Sequence, residues 1–120
     1  MSTISPIIPY ADPRAAIDFL CDAFGFERHA VHEGPDGELG HVELRLGDAV
    51  LMPAPQRHGE PGHACCYVAV EDADAHHDRA RAAGAEITMQ LRDTDYGSRD
   101  YAAKDPEGNT WYFGTYRPLA

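Results

Sequence analysis

The chain has 120 residues, with 10 Lys and Arg against 20 Asp and Glu, so it is one domain in length and carries a formal charge of −10 at pH 7. That field repels phosphate backbones and anionic lipid, which excludes nucleic acid and membrane as expected partners and favours neutral or cationic small molecules. Three Cys, two of them adjacent at Cys65 and Cys66, make no disulfide framework, because neighbours on a strand point to opposite faces; with no basic segment leading into an apolar run between Met1 and Tyr10, the expected location is the cytoplasm.

Ile4 to Tyr10 is apolar but holds Pro6 and Pro9, which predicts an edge strand. Asp12 then offers an N-cap and Pro13 a first helical residue. Ala16, Phe19, Leu20, Ala23 and Phe24 follow the spacing of a buried stripe as far as Gly25. Glu27 to Glu33 is the next expected strand, with turn chemistry at Pro35, Asp36 and Gly37. From His41 to Leu46 the chain alternates, placing Val42, Leu44 and Leu46 on one face and His41, Glu43 and Arg45 on the other. Gly47 and Asp48 turn the chain into a strand over Ala49 to Met52, and the Pro/Gly-rich stretch Pro53 to Gly62 reads as a linker.

The pattern then repeats: Asp12, Gly25 and Glu27 return about 60 residues later as Asp72, Gly84 and Glu86. Ala64 to Val70 is expected as a strand with Cys66, Val68 and Val70 on one face and His63, Cys65, Tyr67 and Ala69 on the other. Asp72 caps a second helix that packs through Ala73, Ala80 and Ala83 and ends at Gly84. Strands over Glu86 to Leu91, Arg99 to Lys104 and Thr110 to Tyr116 complete it, the last two joined by a turn at Asp105 to Asn109. A duplicated strand, helix and three-strand unit predicts two modules, about 1–55 and 62–120, in a single domain around a shared cleft.

In five blocks taken in order, the chain resembles the vicinal oxygen chelate superfamily, the group of glyoxalase I, bleomycin resistance proteins and extradiol dioxygenases. The blocks are Ile17 to Leu20 with Phe24 to Glu27, His41 to Asp48, Val70 to Ala75, Ala82 to Ala85, and Asp105 to Asn109; the stretch from Tyr96 through Trp111 to Thr115 looks most like its PhnB-like subgroup. The resemblance implies an α+β fold of two tandem βαβββ modules, with curled mixed sheets around a cleft, helices outside, and a homodimer. Enzymes of the superfamily hold a divalent metal with His, Gln or Glu from the first and last strands of the modules. Carried over, those positions fall near Ser5, at Val50 to Met52, at Cys65 and at Tyr112, with His63 two residues before Cys65 on the same face. They are a poor ligand set, so no standard metal site and no cofactor are expected.

Seven side chains join His41 and Glu43 as candidate ligand-binding residues. Tyr67, Tyr96, Tyr101 and Tyr112 form an aromatic set able to stack on a flat ligand, and Arg99 either clamps an anionic group or pairs with a nearby Asp. Cys65 is either a nucleophile or, as the better expectation, an inert buried thiol, and His63 is held in reserve as a ligand. The face carrying His41 and Glu43 looks either into the pocket or to solvent and a dimer seam. His29, His32, His58, His76 and His77 are expected to be exposed. Two functions follow: a pocket protein binding a hydrophobic or cationic aromatic small molecule, such as an antibiotic it sequesters, or a divergent metal-dependent lyase, isomerase or dioxygenase using His41, Glu43 and His63. No catalytic residue is assigned.

Overall fold

The computed structural model describes residues 2–56 and 59–119; His58 lies outside them. The elements run β1 (Ile7–Tyr10), α1 (Pro13–Phe24), β2 (Glu27–Glu33), β3 (Leu39–Leu46) and β4 (Ala49–Pro55), then β5 (Cys65–Ala69), α2 (Ala73–Ala82), β6 (Glu86–Asp93), β7 (Arg99–Lys104) and β8 (Thr110–Gly114). The strands form two four-stranded mixed sheets, ordered β1-β4-β3-β2 and β5-β8-β7-β6, each with one parallel outer pair. No barrel closes. This is the duplicated α+β architecture expected from the repeat.

Both helices begin as their sequences dictate. The Asp12 carboxylate accepts the Ala15 N–H at 3.1 Å and Asp72 accepts the Ala75 N–H at 3.0 Å, each satisfying a backbone donor that the first turn leaves free. Gly25, in the left-handed region at φ 85°, lets α1 stop and turn directly into β2. The buried stripe of α1 is Ala16, Ile17, Leu20, Cys21, Ala23 and Phe24, whereas α2 buries Ala73, His77 and Ala80. Ala83, expected to pack, is instead the exposed residue that ends α2.

β4 runs three residues further than its sequence suggests, and the expected linker correspondingly begins after Pro55. Its ladder to β3 ends at Leu51, while β1 pairs with it from Met52 to Pro55. Pro53 and Pro55 therefore lie where only one edge is paired, the position in a sheet that tolerates a missing N–H.

The helices pack on each other and each covers its own sheet. Phe24 joins the modules: its ring lies 4.7 Å from Phe113 and 5.6 Å from Trp111, both on β8. Around it α2 grips the end of α1. His76 Nε2–H donates to the Phe24 carbonyl at 2.9 Å, which leaves Nδ1 to accept the Tyr101 hydroxyl, and Arg79 donates to the Cys21 and Asp22 carbonyls at 3.1 Å each. His76 and His77 are thus half-buried and buried, not exposed: positions 73, 77 and 80 share one helix face, and His76 lies beside it against Phe24 and Phe113.

The start of α1 is held from the β7–β8 turn. Glu107 accepts the backbone N–H groups of Ala11 and Asp12 at 2.6 and 2.9 Å. The buried Asp105 carboxylate accepts the Tyr10 hydroxyl at 2.7 Å, Asn109 Nδ2 at 3.0 Å, Trp111 Nε1 at 3.1 Å and the backbone N–H groups of Glu107 and Asn109. Burial, followed by this neighbouring charge, pushes the Tyr10 hydroxyl far above the usual phenol range.

Two outcomes follow for stability. Tyr10→Phe removes one donor from a buried carboxylate and is expected to cost about 1–2 kcal/mol in urea denaturation; an unchanged midpoint contradicts the joint. Burial lowers the His76 pKa below its ordinary value of 6.5, so the unfolded chain takes up the proton first as pH falls. Stability should therefore decline below about pH 6.5, more steeply in the wild type than in His76→Gln, and equal slopes across pH 5–7.5 contradict the assignment.

Candidate binding site

Each sheet turns one face to the helices and leaves the other open. On the first sheet the open face carries His41 and Glu43, with His41 Nε2 and Glu43 Oε2 2.6 Å apart. Breaks in the register of β2 against β3, between Arg28 and Ala30 and between Val31 and Glu33, bring in two further imidazoles. His29 Nε2 lies 3.9 Å from Glu43, and the His32 ring stacks 6.3 Å from that of His41. The hydrogen bond from His41 holds the Glu43 carboxyl below its ordinary range. Beyond the end of the β3 ladder, β4 leaves a depression of about 280 Å³ lined by Ile7, His41, Val42 and Met52 to Pro55. Sequence alternation found His41 and Glu43; the irregularities that add His29 and His32 leave no signal in it.

On the second sheet, Cys65, Tyr67 and Tyr112 share the open face. Register places Tyr67 beside Tyr112, and Gly114 beside Asp100. Tyr67 leans across Gly114, and its hydroxyl donates to the Tyr116 carbonyl at 2.6 Å. Burial raises the Tyr67 pKa above that of a free phenol. Tyr96 and Tyr116 meet edge to face, their centroids 5.6 Å apart. Gly114 has to lack a side chain, since a Cβ there would overlap the Asp100 carboxylate and sit 2.8 Å from the Tyr67 hydroxyl.

Between the modules runs a groove of about 610 Å³, open to solvent, with Phe26 and Leu46 to Ala49 on one wall and Tyr67 to Glu71 with Arg117 on the other. Tyr67 also lines the tyrosine corner with Tyr96, Tyr116 and Pro118, so the two spaces are neighbours. Phe26, Val68 and Val70 give the groove an apolar floor, with Asp48, Glu71 and Arg117 as its charged lining. Of the nine candidate side chains only Tyr67 lines the groove, and Tyr67 and Tyr96 come together in the corner. Tyr101 is fully buried on the opposite face of β7, under α2, where a ligand does not reach it. Arg99 is engaged by Asp74 at 3.0 Å and Asp93 at 3.1 Å, the ion-pair alternative. His63 is exposed beside Glu60, 3.7 Å away, and Cys65 is exposed instead of buried because β5 turns it to the open face.

The family model described as the Glyoxalase/Bleomycin resistance protein/Dioxygenase superfamily matches residues 3–113. The chain belongs to this superfamily. It is 32% identical to TioX from Micromonospora sp. ML1, whose crystal structure aligns over 98% of this chain and 100% of that one with a TM-score of 0.84. TnmS3, an antibiotic binding protein from Streptomyces sp. CB03234, aligns over 94% of each chain with a TM-score of 0.79 at 22% identity, a likeness of fold. An uncharacterised protein of Mycobacterium bovis is 32% identical over 123 residues, covering 92% of this chain and 81% of that protein.

Metal ligation in the glyoxalase superfamily's enzymes can be tested on the side chains present. Val50 offers no donor atom and Met52 only a thioether, and Cys65 lies two positions before the β5 residue that pairs with Tyr112. Among the described residues no three His, Cys, Asp or Glu are gathered to hold a metal ion. Val50, Met52, Cys65 and Tyr112 are thus a donor set that does not fit a divalent ion.

Gly114→Ala is expected to cost about 1–3 kcal/mol by crowding Asp100 and Tyr67, read as a lower urea midpoint together with altered Tyr67 ring resonances. An unchanged midpoint and spectrum would show that the corner is not packed as described.

Proposed function

We propose that this protein binds a hydrophobic or cationic aromatic small molecule in the groove between its modules, working by capture without a resident metal, and that the natural ligand is an antibiotic or a compound of similar chemistry. The observation that carries the reading is the groove: an apolar floor of Phe26, Val68 and Val70, continuous through Tyr67 with an aromatic corner, in a volume suited to a drug-sized ligand. The family supports it, since TnmS3, of the same fold, is an antibiotic binding protein. The acid-rich composition favours cations over anions.

A homodimer is part of the proposal. The groove and both open faces stand exposed in one chain, and a second copy set against them would bury the ligand that a single chain only half covers. A cytoplasmic location is likewise part of the proposal and rests on the sequence reading alone; separately, among the described residues no helix is long and apolar enough to cross a membrane.

A panel of polycyclic aromatic and peptide antibiotics, titrated calorimetrically into untagged protein, is expected to yield at least one ligand at micromolar affinity or better, with Tyr67→Ala weakening it about tenfold, or roughly 1.4 kcal/mol. Absence of binding across the panel, or stoichiometric metal retained through purification and lost in His41→Ala, refutes the reading and favours a metal-dependent enzyme.

A further inference from the structure

Asp100 is only 7% exposed, yet it lies on the open face of its sheet and not in the core between sheet and helices. What buries it is a roof of aromatic and hydroxyl side chains. Ser98 Oγ donates to Oδ1, and the Tyr96 hydroxyl donates to Oδ2 at 3.2 Å. Ser98 is itself buried, and its Oγ accepts the Tyr116 N–H at 3.0 Å, so the hydroxyl that holds the carboxylate also holds the backbone of Tyr116. The neighbouring Arg99 turns to the other side, toward Asp74 and Asp93. Among the described residues, no Lys, Arg or His forms a salt bridge with Asp100. The other buried carboxylate in the fold, Asp105, is surrounded by five donors, four of them N–H groups. Asp100 has two hydroxyls, and a buried carboxylate so lightly compensated favours a cation nearby.

Above it stand Tyr67, Tyr96 and Tyr116, which with Pro118 line a shallow, solvent-open corner of about 470 Å³. Tyr96 and Tyr116 are nearly perpendicular, at 87°, so two rings wall a corner. Aromatic faces attract cations through their quadrupole, and more strongly where water is thinned. The hydroxyl donors of the corner are already engaged: the Tyr67 hydroxyl on the Tyr116 carbonyl, the Tyr96 hydroxyl and Ser98 on Asp100. The lining itself is four rings, those of Tyr67, Tyr96, Tyr116 and Pro118; an alkylated ammonium can lay its carbons against them, whereas a primary ammonium would exchange tightly held water for ring faces that take none of its three N–H donors in full hydrogen bonds.

We propose that the Tyr67, Tyr96 and Tyr116 corner over Asp100 is a subsite for an alkylated ammonium group, and that it receives the cationic end of a ligand whose aromatic body lies in the adjoining groove. This rests on the reading of the groove as a small-molecule site and names the chemistry at its end.

The test uses three small probes, each titrated by NMR into the untagged protein: choline, its neutral carbon isostere 3,3-dimethylbutan-1-ol, and the smaller primary amine ethanolamine. Choline is expected to bind at least tenfold more tightly than either of the others, with shifts at Tyr67, Tyr96 and Tyr116. Tyr96→Leu and Tyr116→Leu should each weaken choline about threefold, with the neutral isostere unaffected. Asp100→Asn should erase the preference for choline over the isostere; if that variant does not fold, the tyrosine variants and the isostere comparison still decide. Equal binding of choline and the isostere, or choline affinity unchanged in Tyr116→Leu, overturns the subsite. A neutral polycyclic aromatic from the antibiotic panel is titrated in parallel: if it binds and choline shows no preference, the subsite fails and the groove stands; if neither binds, both fail.

Discussion

The grip of the second module on helix α1 is the constraint on which the rest of the structure depends. At one end Glu107 holds the two backbone N–H groups that precede the helix, and Asp105 anchors Tyr10; at the other, His76 and Arg79 take the carbonyls of Phe24, Cys21 and Asp22. These contacts pair the backbone groups that a helix leaves free at its ends, so the modules complete one another's hydrogen bonding. The apolar part of the joint is Phe24, set against Phe113 and Trp111. Losing any one donor to the buried Asp105 leaves the others compensating a carboxylate that water does not reach, which makes the joint cooperative and intolerant of partial change.

That joint spends the helix-facing side of both sheets and leaves their other sides free. The two open faces differ in chemistry. The first presents imidazoles around Glu43, polar and half-exposed, while the second presents tyrosines over a buried carboxylate. The groove between the modules is bounded by the β3–β4 turn and by β5, whose Val68 and Val70 come to it from the helix-facing side and Tyr67 from the open face. A ligand lying there would meet apolar side chains, with charge at the margins and an aromatic corner at one end, the arrangement on which the proposed capture of a flat molecule with a positive end rests.

Much of the fold was legible in the chain because its signals are local. Asp12 with Pro13 and Gly25 bracket α1, Asp72 starts α2, and Val42 alternating with His41 sets the faces of β3. The candidate site was less legible because it depends on contacts distant in sequence. His76 and His77 look like solvated helix residues until the end of α1 is packed against them. Tyr101 follows Asp100, both are buried, and they lie on opposite faces of one strand, so alternation alone does not say which belongs to the core. Asp100 itself reads as a surface acid, and its burial under Tyr67 and Tyr96 rests on Gly114, its register partner on the next strand, leaving room. Phe26, Val68 and Val70 carry the ordinary pattern of core residues; nothing in their spacing separates a groove floor from a packed interior.

The proposed ligand lies between the modules, with Tyr67 at the meeting point of groove and corner. A crystal structure of the untagged protein with a tight-binding aromatic ligand tests this placement most directly. The expected result is an aromatic body on Phe26, Val68 and Val70 reaching Tyr67, with no metal between ligand and protein. A ligand seated instead on the imidazole face of the first sheet, or coordinated through a metal held by His41 and Glu43, would contradict it.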